Sequence, residues 1–266
     1  MIIKYMIKTT IVTAFFDINR EENGDGRKIS DYLQWIKSTL LLNCNLYVVT
    51  EKKFINFIKE NRPKNYPLTL IEDTMDNALY SKYKQKMVTI MKSSTYKSKI
   101  HYPKRVECIL PEYNIIQYSK FGWLQRAIEE NPFNSDFFFW MDIGISRFFH
   151  DMNLKILYPS NQDVLYKSQN KFIIQQRCDL QEYEIDKNFI WKADNLFKGG
   201  MFGGYKDIVV DVGKQIEHIF IKEFLENNNV NNEQIAFTLL WKKHPELFFL
   251  IPDMNRHPCI LLHLLR

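Results

Sequence analysis

The sequence predicts an α/β fold with a mixed, mostly parallel central sheet. Short runs rich in β-branched and aromatic residues recur along the chain, and longer amphipathic stretches separate them. No internal repeat or linker-like segment divides them, and 266 residues with 45% hydrophobic content suffice to bury one sizeable core or two small ones.

Taken in order, Thr9–Phe16 (TTIVTAFF) reads as a buried strand, followed by a polar loop from Asp17 to Lys28. Ser30 is placed to cap a helix whose Leu33, Ile36 and Leu40 share a face. Leu46–Thr50 is a second strand, Phe54–Glu60 a helix closed by Pro63 and Pro67, and Leu68–Ile71 a third strand. The spacing of Met75, Leu79, Met87 and Met91 predicts one long polar helix over 74–94. Tyr113–Tyr118 reads as a strand, and Ser119–Glu130 as a helix ended by Asn131-Pro132. Asp136–Asp142 (DFFFWMD) is the most apolar run and ends in a carboxylate. Lys171–Gln176 and Leu247–Ile251 read as strands, and 207–226 and 232–242 as helices.

Composition excludes several classes. The 20 Phe, 14 Tyr and 5 Trp rule out a disordered chain, and 9 Gly with 9 Pro rule out a collagen-like one. Five Ala against 22 Asn suggest an AT-rich genome and carry no function. Cys44, Cys108, Cys178 and Cys259 form no C-x-x-C pair, which fits buried thiols in a reducing compartment. No apolar run approaches the ~18 residues of a membrane span. The apolar N-terminal stretch, Met1 to Phe16, is interrupted by Lys4 and Lys8 and lacks a small-residue cleavage site, so it reads as a first strand and not a signal peptide. A soluble, intracellular, cytoplasmic protein is the expectation. The net charge of +5 is mild. Its densest basic stretch, 82–105, suits a solvated helix face and loop, or else an anionic partner, without the charge stripe of a nucleic-acid binder.

Three motifs carry candidate chemistry. An unpaired charge within five apolar residues would be costly in a core. Asp142 therefore belongs at the carboxyl end of a central strand, facing the crevice where α/β sheets bind ligands. There it suits a hard divalent cation, and Gly144 lets backbone approach a ligand. A loop-capping Asp, or one paired with Arg147, satisfies the same pattern. Phe197–Gly204 (FKGGMFGG) holds four of the nine glycines and reads as a tight double turn or as a loop lining a sugar-sized site, with Gly199 and Gly200 as contacts. Asn231-Asn232-Glu233-Gln234 opens a helix, where Asn caps and Glu suits the dipole. Glu233 or Gln234 could equally point into a site. Lys120 is one lysine among many, with a surface role as the ordinary expectation. His263 sits in an apolar run, as a hydrogen-bonded core residue or a metal ligand, with His257 nearby. Signatures of a P-loop, a dinucleotide fold, a serine hydrolase and a zinc protease are absent.

The segments Thr10–Arg20 (TIVTAFFDINR), Tyr47–Glu51, Ser119-Lys120-Phe121 and Phe139–Ile145 (FWMDIGI) together resemble the HtrL/YibB-like family. Its members occur in bacteria and giant viruses and look like GT-A-type glycosyltransferases. The resemblance covers nearly the whole chain. It implies a single Rossmann-like GT-A domain over 1–266, with a nucleotide-binding half (1–142) and an acceptor-binding half (143–266). It also implies transfer of a sugar from a UDP- or GDP-linked donor to an acceptor hydroxyl on a glycan or protein, assisted by Mn2+ or Mg2+. On that reading Asp142 and His263 hold the metal, and Thr13, Ala14 and Phe15 lie against the nucleotide. Arg20 and Lys120 then offset the leaving-group charge, and Glu233 deprotonates the acceptor. GT-A enzymes usually carry Asp-x-Asp where this chain has Asp142-Ile143-Gly144. That departure favours the alternative of an inactive nucleotide- or glycan-binding relative. A nucleotidyltransferase would need a glycine-rich phosphate loop after the first strand, for which Asn23–Arg27 (NGDGR) is a poor substitute.

Overall fold

The structure is a computed structural model that describes residues 7–150, 152–252 and 259–266. Among those residues one seven-stranded sheet runs in the order β3-β2-β1-β4-β6-β5-β7. Its strands are β1 (Thr9–Phe15), β2 (Leu46–Thr50), β3 (Leu68–Glu72), β4 (Phe137–Met141), β5 (Phe172–Gln176), β6 (Phe197–Tyr205) and β7 (Phe248–Ile251). All neighbours pair in parallel except β6, which runs antiparallel to both β4 and β5.

The helices are α1 (Arg20–Asn23), α2 (Ile29–Leu40), α3 (Lys52–Asn61), α4 (Lys84–Lys92), α5 (Ser94–Lys99), α6 (Val106–Ile109), α7 (Pro111–Glu130), α8 (Gln162–Lys167), α9 (Lys206–Ile219), α10 (Glu233–Lys243) and α11 (Ile260–Leu264). They sandwich the sheet. Successive strand residues point to opposite faces, so Phe138 and Trp140 of β4 join the core under α7, α9 and α10. Phe137, Phe139 and Met141 join the core under α2, α3 and α11. β4 is buried at every position because both faces are covered.

Four local expectations are corrected. Tyr113–Tyr118 is the first part of α7, not a strand. Pro111 sits in the first helical turn, and Asn114, Ile115, Tyr118 and Ser119 form a buried stripe at helical spacing, which overrides their β-prone composition. Phe197–Gly204 is neither a turn nor a loop but most of β6. A Cβ at Gly203 would stand 2.2 Å from the Phe138 carbonyl oxygen, so glycine permits the two strands to meet. Segment 74–94 breaks into short turns at Met75–Asn77 and Ser81–Tyr83 before α4, because Ala78 is extended. Ser30 does not cap α2, which starts at Ile29 after an extended Lys28. Among the described residues no helix is long and apolar enough to cross a membrane.

Candidate functional site

The carboxyl ends of β1, β4 and β5 and the amino end of β6 meet at one rim. The chain leaves β1 toward β2 on one side, while β4 flanks the other, so this rim is the switch point at which open α/β sheets bind ligands. A crevice of about 780 Å³ opens there, with Ala14–Asn19, Tyr32, Tyr113, Asp142–Ile145, Lys198–Met201 and Gln234 among its walls.

Asp142 follows β4 directly, and its N–H still bonds the Gly200 carbonyl at 2.8 Å. Its side chain is 41% exposed. Oδ1 accepts the indole N–H of Trp140 at 2.8 Å and lies 3.3 Å from Lys120 Nζ. Oδ2 accepts no hydrogen bond among the described residues and faces the crevice past Gly200, where a Cβ would stand 3.6 Å from it. Trp140 is held in turn by Trp123, stacked at 5.9 Å, which stands in a stack with Phe16 at 5.3 Å. The aromatic run of β4 thus orients the carboxylate as well as carrying it to the rim.

Lys120 projects from α7 into the sheet and is buried. Its ammonium donates to the Gly199 carbonyl and to Glu233 Oε1, both at 2.9 Å, and pairs with Asp142. Trp140 and Phe202 present ring faces at 5.6 and 5.9 Å. Burial works against the ammonium, but Asp142 and Glu233 outweigh it and hold its pKa above the usual lysine value. Glu233 is also fully buried. Burial pushes its carboxyl above the usual glutamate value although Lys120 pulls the other way. Its Oε2 has no partner among the described residues. Asn232 caps α10, as its Oδ1 accepts from the N–H groups of Gln234 and Ile235. A Cβ at Gly199 would come 2.2 Å from Glu233 Oε1. Gly199 therefore makes room for the buried carboxylate, not for a ligand.

The opposite wall carries charges of both signs, with Arg20, Arg27 and Arg147 among Asp17, Glu21, Glu22 and Asp25. Arg20 donates to Asp25 and to the Tyr32 hydroxyl, its guanidinium 5.0 Å from the Tyr113 ring centre. Arg27 reaches the same Asp25 at 3.8 Å. Arg147 lies on the turn after Asp142, with its guanidinium 5.1 Å from the Trp35 ring and 5.0 Å from Phe148. It forms no salt bridge with Asp142, contrary to one reading of the sequence. Arg177 and Lys198 line the far side.

The structure brings together Asp142, Ala14, Phe15, Arg20, Gly199, Gly200 and Gln234 along the crevice. It places four other expected residues elsewhere. Thr13 is fully buried between its strand neighbours and lines no part of the crevice. Glu233 and Lys120 stand behind the wall, spent on each other. His263 turns Nε2 to the Phe148 carbonyl at 3.1 Å and is not among the crevice residues. His257 lies outside the described residues. Trp35, Tyr113, Arg27, Arg177 and Lys198 escaped the sequence reading. Only the helical spacing of Trp35 with Tyr32, three residues before it, pointed inward.

The donor set for Mn2+ or Mg2+ is thin. Among the described residues no group of three His, Cys, Asp or Glu could hold an ion. A Cβ at Gly144 would stand 3.1 Å from Trp35 Cε3, so the indole crowds the position at which a second carboxylate would be carried. One carboxylate oxygen does not fit a resident cation that demands a full oxygen shell.

The profile described as "Bacterial protein of unknown function (HtrL_YibB)" matches residues 7–255, and the chain belongs to that family. No curated protein sequence matches it. The chain is similar to the solved structure of mouse xyloside xylosyltransferase 1 in its apo form, at 11% identity and TM-score 0.42, over 93% of this chain and 85% of that one. It is also similar to 4-diphosphocytidyl-2C-methyl-D-erythritolsynthase from Anaerococcus prevotii, at 12% identity and TM-score 0.43, over 94% of this chain and 91% of that one.

Proposed function

For a chain of this family we propose glycosyl transfer: a sugar moves from a nucleotide-diphosphate donor to an acceptor hydroxyl within the crevice at the β1–β4 rim. The GT-A-type resemblance of the sequence supports the reaction class. The observation that carries it is Asp142 Oδ2, a carboxylate oxygen open to a crevice whose other wall is rich in guanidiniums. Breaking the anomeric bond leaves negative charge on the diphosphate, and fixed cations aimed at that charge lower the barrier. The nucleoside lies along Ala14–Phe16 and Tyr32, the diphosphate by the arginines and the sugar toward Asp142. The acceptor enters beside Gln234 and Arg177. Asp142 takes the acceptor proton, in place of the buried Glu233, which touches no ligand. Glu233 and Lys120 are positioning residues: they fix Asp142 and the Gly199 carbonyl.

A panel of UDP- and GDP-linked sugars, assayed for released nucleoside diphosphate, tests this. At least one donor is expected to turn over, and Asp142→Asn is expected to lower the rate by about a hundredfold or more. The second reading is a nucleotide- or glycan-binding protein without turnover, favoured by Gly144 where GT-A enzymes carry a second carboxylate. Donor binding without release of nucleoside diphosphate in the wild type selects it.

A further inference from the structure

We infer that the donor's diphosphate is held by guanidinium groups, Arg147 foremost, and not by a divalent cation carried on Asp142. This rests on the nucleotide-diphosphate reading above and says how that donor is held.

The place where a second metal-binding carboxylate would stand is crowded by Trp35, 3.1 Å from a Cβ built on Gly144. The same indole supports Arg147, whose guanidinium lies 5.1 Å from its ring centre. One side chain thus crowds the metal position and mounts a cation beside it. The mounting is rigid. Ser146 Oγ donates to the Trp35 carbonyl at 2.8 Å, tying the turn that bears Arg147 to α2. Thr39 Oγ1 on α2 donates to the Ile143 carbonyl at 2.7 Å, one residue beyond Asp142. Stacking on two rings leaves the edge of the guanidinium fork available, and that fork matches phosphate oxygens in pairs.

Charge balance agrees. Lys53 engages Asp17, and Arg20 engages Asp25. Arg147 forms no salt bridge among the described residues, and Arg27 only shares Asp25 with Arg20. Arg147 therefore stands beside the crevice with its charge unmatched by a salt bridge. Glu21 and Glu22 also line the crevice, exposed on α1. Burial and the nearby Arg27 and Arg20 press the Arg147 pKa below the usual arginine value, although Asp142 and Tyr32 oppose them. A cation repelled by its neighbours is relieved by an anion. A diphosphate diester carries two negative charges and supplies that relief.

The test is calorimetric binding of UDP, GDP and inorganic pyrophosphate, in EDTA and in Mn2+, to the wild type, Arg147→Ala, Arg147→Gln and Asp142→Asn. The expected result is wild-type binding in EDTA, changed by less than about threefold on adding Mn2+. Both arginine variants weaken it by about tenfold or more. Asp142→Asn leaves it unchanged or tighter, because a like charge has gone. Arg147→Gln keeps a flat group on Trp35, and thermal melts of both arginine variants verify the fold. Binding that appears only with Mn2+ and is lost in Asp142→Asn overturns the inference and leaves the donor reading intact. Failure of every ligand in both buffers overturns the donor reading and this inference with it.

Discussion

The two walls of the crevice treat charge in opposite ways. On the β6 wall one buried ammonium serves two carboxylates and a carbonyl, and nothing of it is left for a ligand. On the other wall Arg20 and Arg147 lie against aromatic rings, and Arg147 forms no salt bridge among the described residues. The first arrangement, dry and saturated, sets geometry. The second keeps a guanidinium for an incoming anion. The type of a charged residue does not tell which duty it has. Its burial and the number of its partners do.

The sharpest way to break this contrast is Lys120→Met. It strands Glu233 in a core, at an expected cost of about 3–5 kcal/mol in urea unfolding. Adding Glu233→Gln should return much of the loss, whereas equal losses in the single and double variants would show that the wall is not locked by charge. Gly199→Ala comes next: the Cβ presses on Glu233 Oε1, for about 1–3 kcal/mol by the same measurement. Gly200→Ala, where the Cβ meets Asp142 Oδ2 at ordinary contact distance, should unfold almost as the wild type does.

On the open wall, Trp35→Ala removes the support of Arg147 and should weaken nucleoside diphosphate binding by about fivefold, near 1 kcal/mol. Joined with Gly144→Asp it vacates and then fills the second carboxylate position, and binding should become responsive to Mn2+. A double variant still indifferent to Mn2+ would show that Trp35 is not what closes that position.

The smallest effect is one of pH. Folding raises the Glu233 pKa above its ordinary 4.5. The stability this group contributes is therefore full below that value and lost as pH rises through the folded one. Urea midpoints of the wild type should fall relative to those of Glu233→Gln as pH rises above about 4.5. A constant difference would place the Glu233 carboxyl at its unfolded value.

Six of the seven strands were legible because β-branched and aromatic runs mark strands buried on both faces. β6 was not. Its glycines, needed for contact with Phe138 and Glu233, carry the composition of a turn, and only the neighbours they make room for reveal a strand. Tyr113–Tyr118 misled in the other direction, since its β-prone residues pack as a helical stripe. Asp142 was legible, as a charge at the end of an apolar run has few places to go. Lys120 and Glu233 were singled out but given exposed roles, because sequence shows residue type and not depth. Arg147 entered only as an alternative partner for Asp142, its contact with Trp35 being invisible at a separation of more than a hundred residues.

The reversed direction of β6 has a further consequence. β5 ends and β6 begins at the same rim, so residues 177–196 depart from the sheet and rejoin it on that side, Arg177 lining the crevice. They hang there from amide side chains: Asn229 and Asn231 both donate to the Ile190 carbonyl, and Asn231 also to that of Lys192. With Leu180, Phe189, Ile190 and Leu196 in the core as well, this connection is packed into the body of the molecule and braces the two strands that it joins.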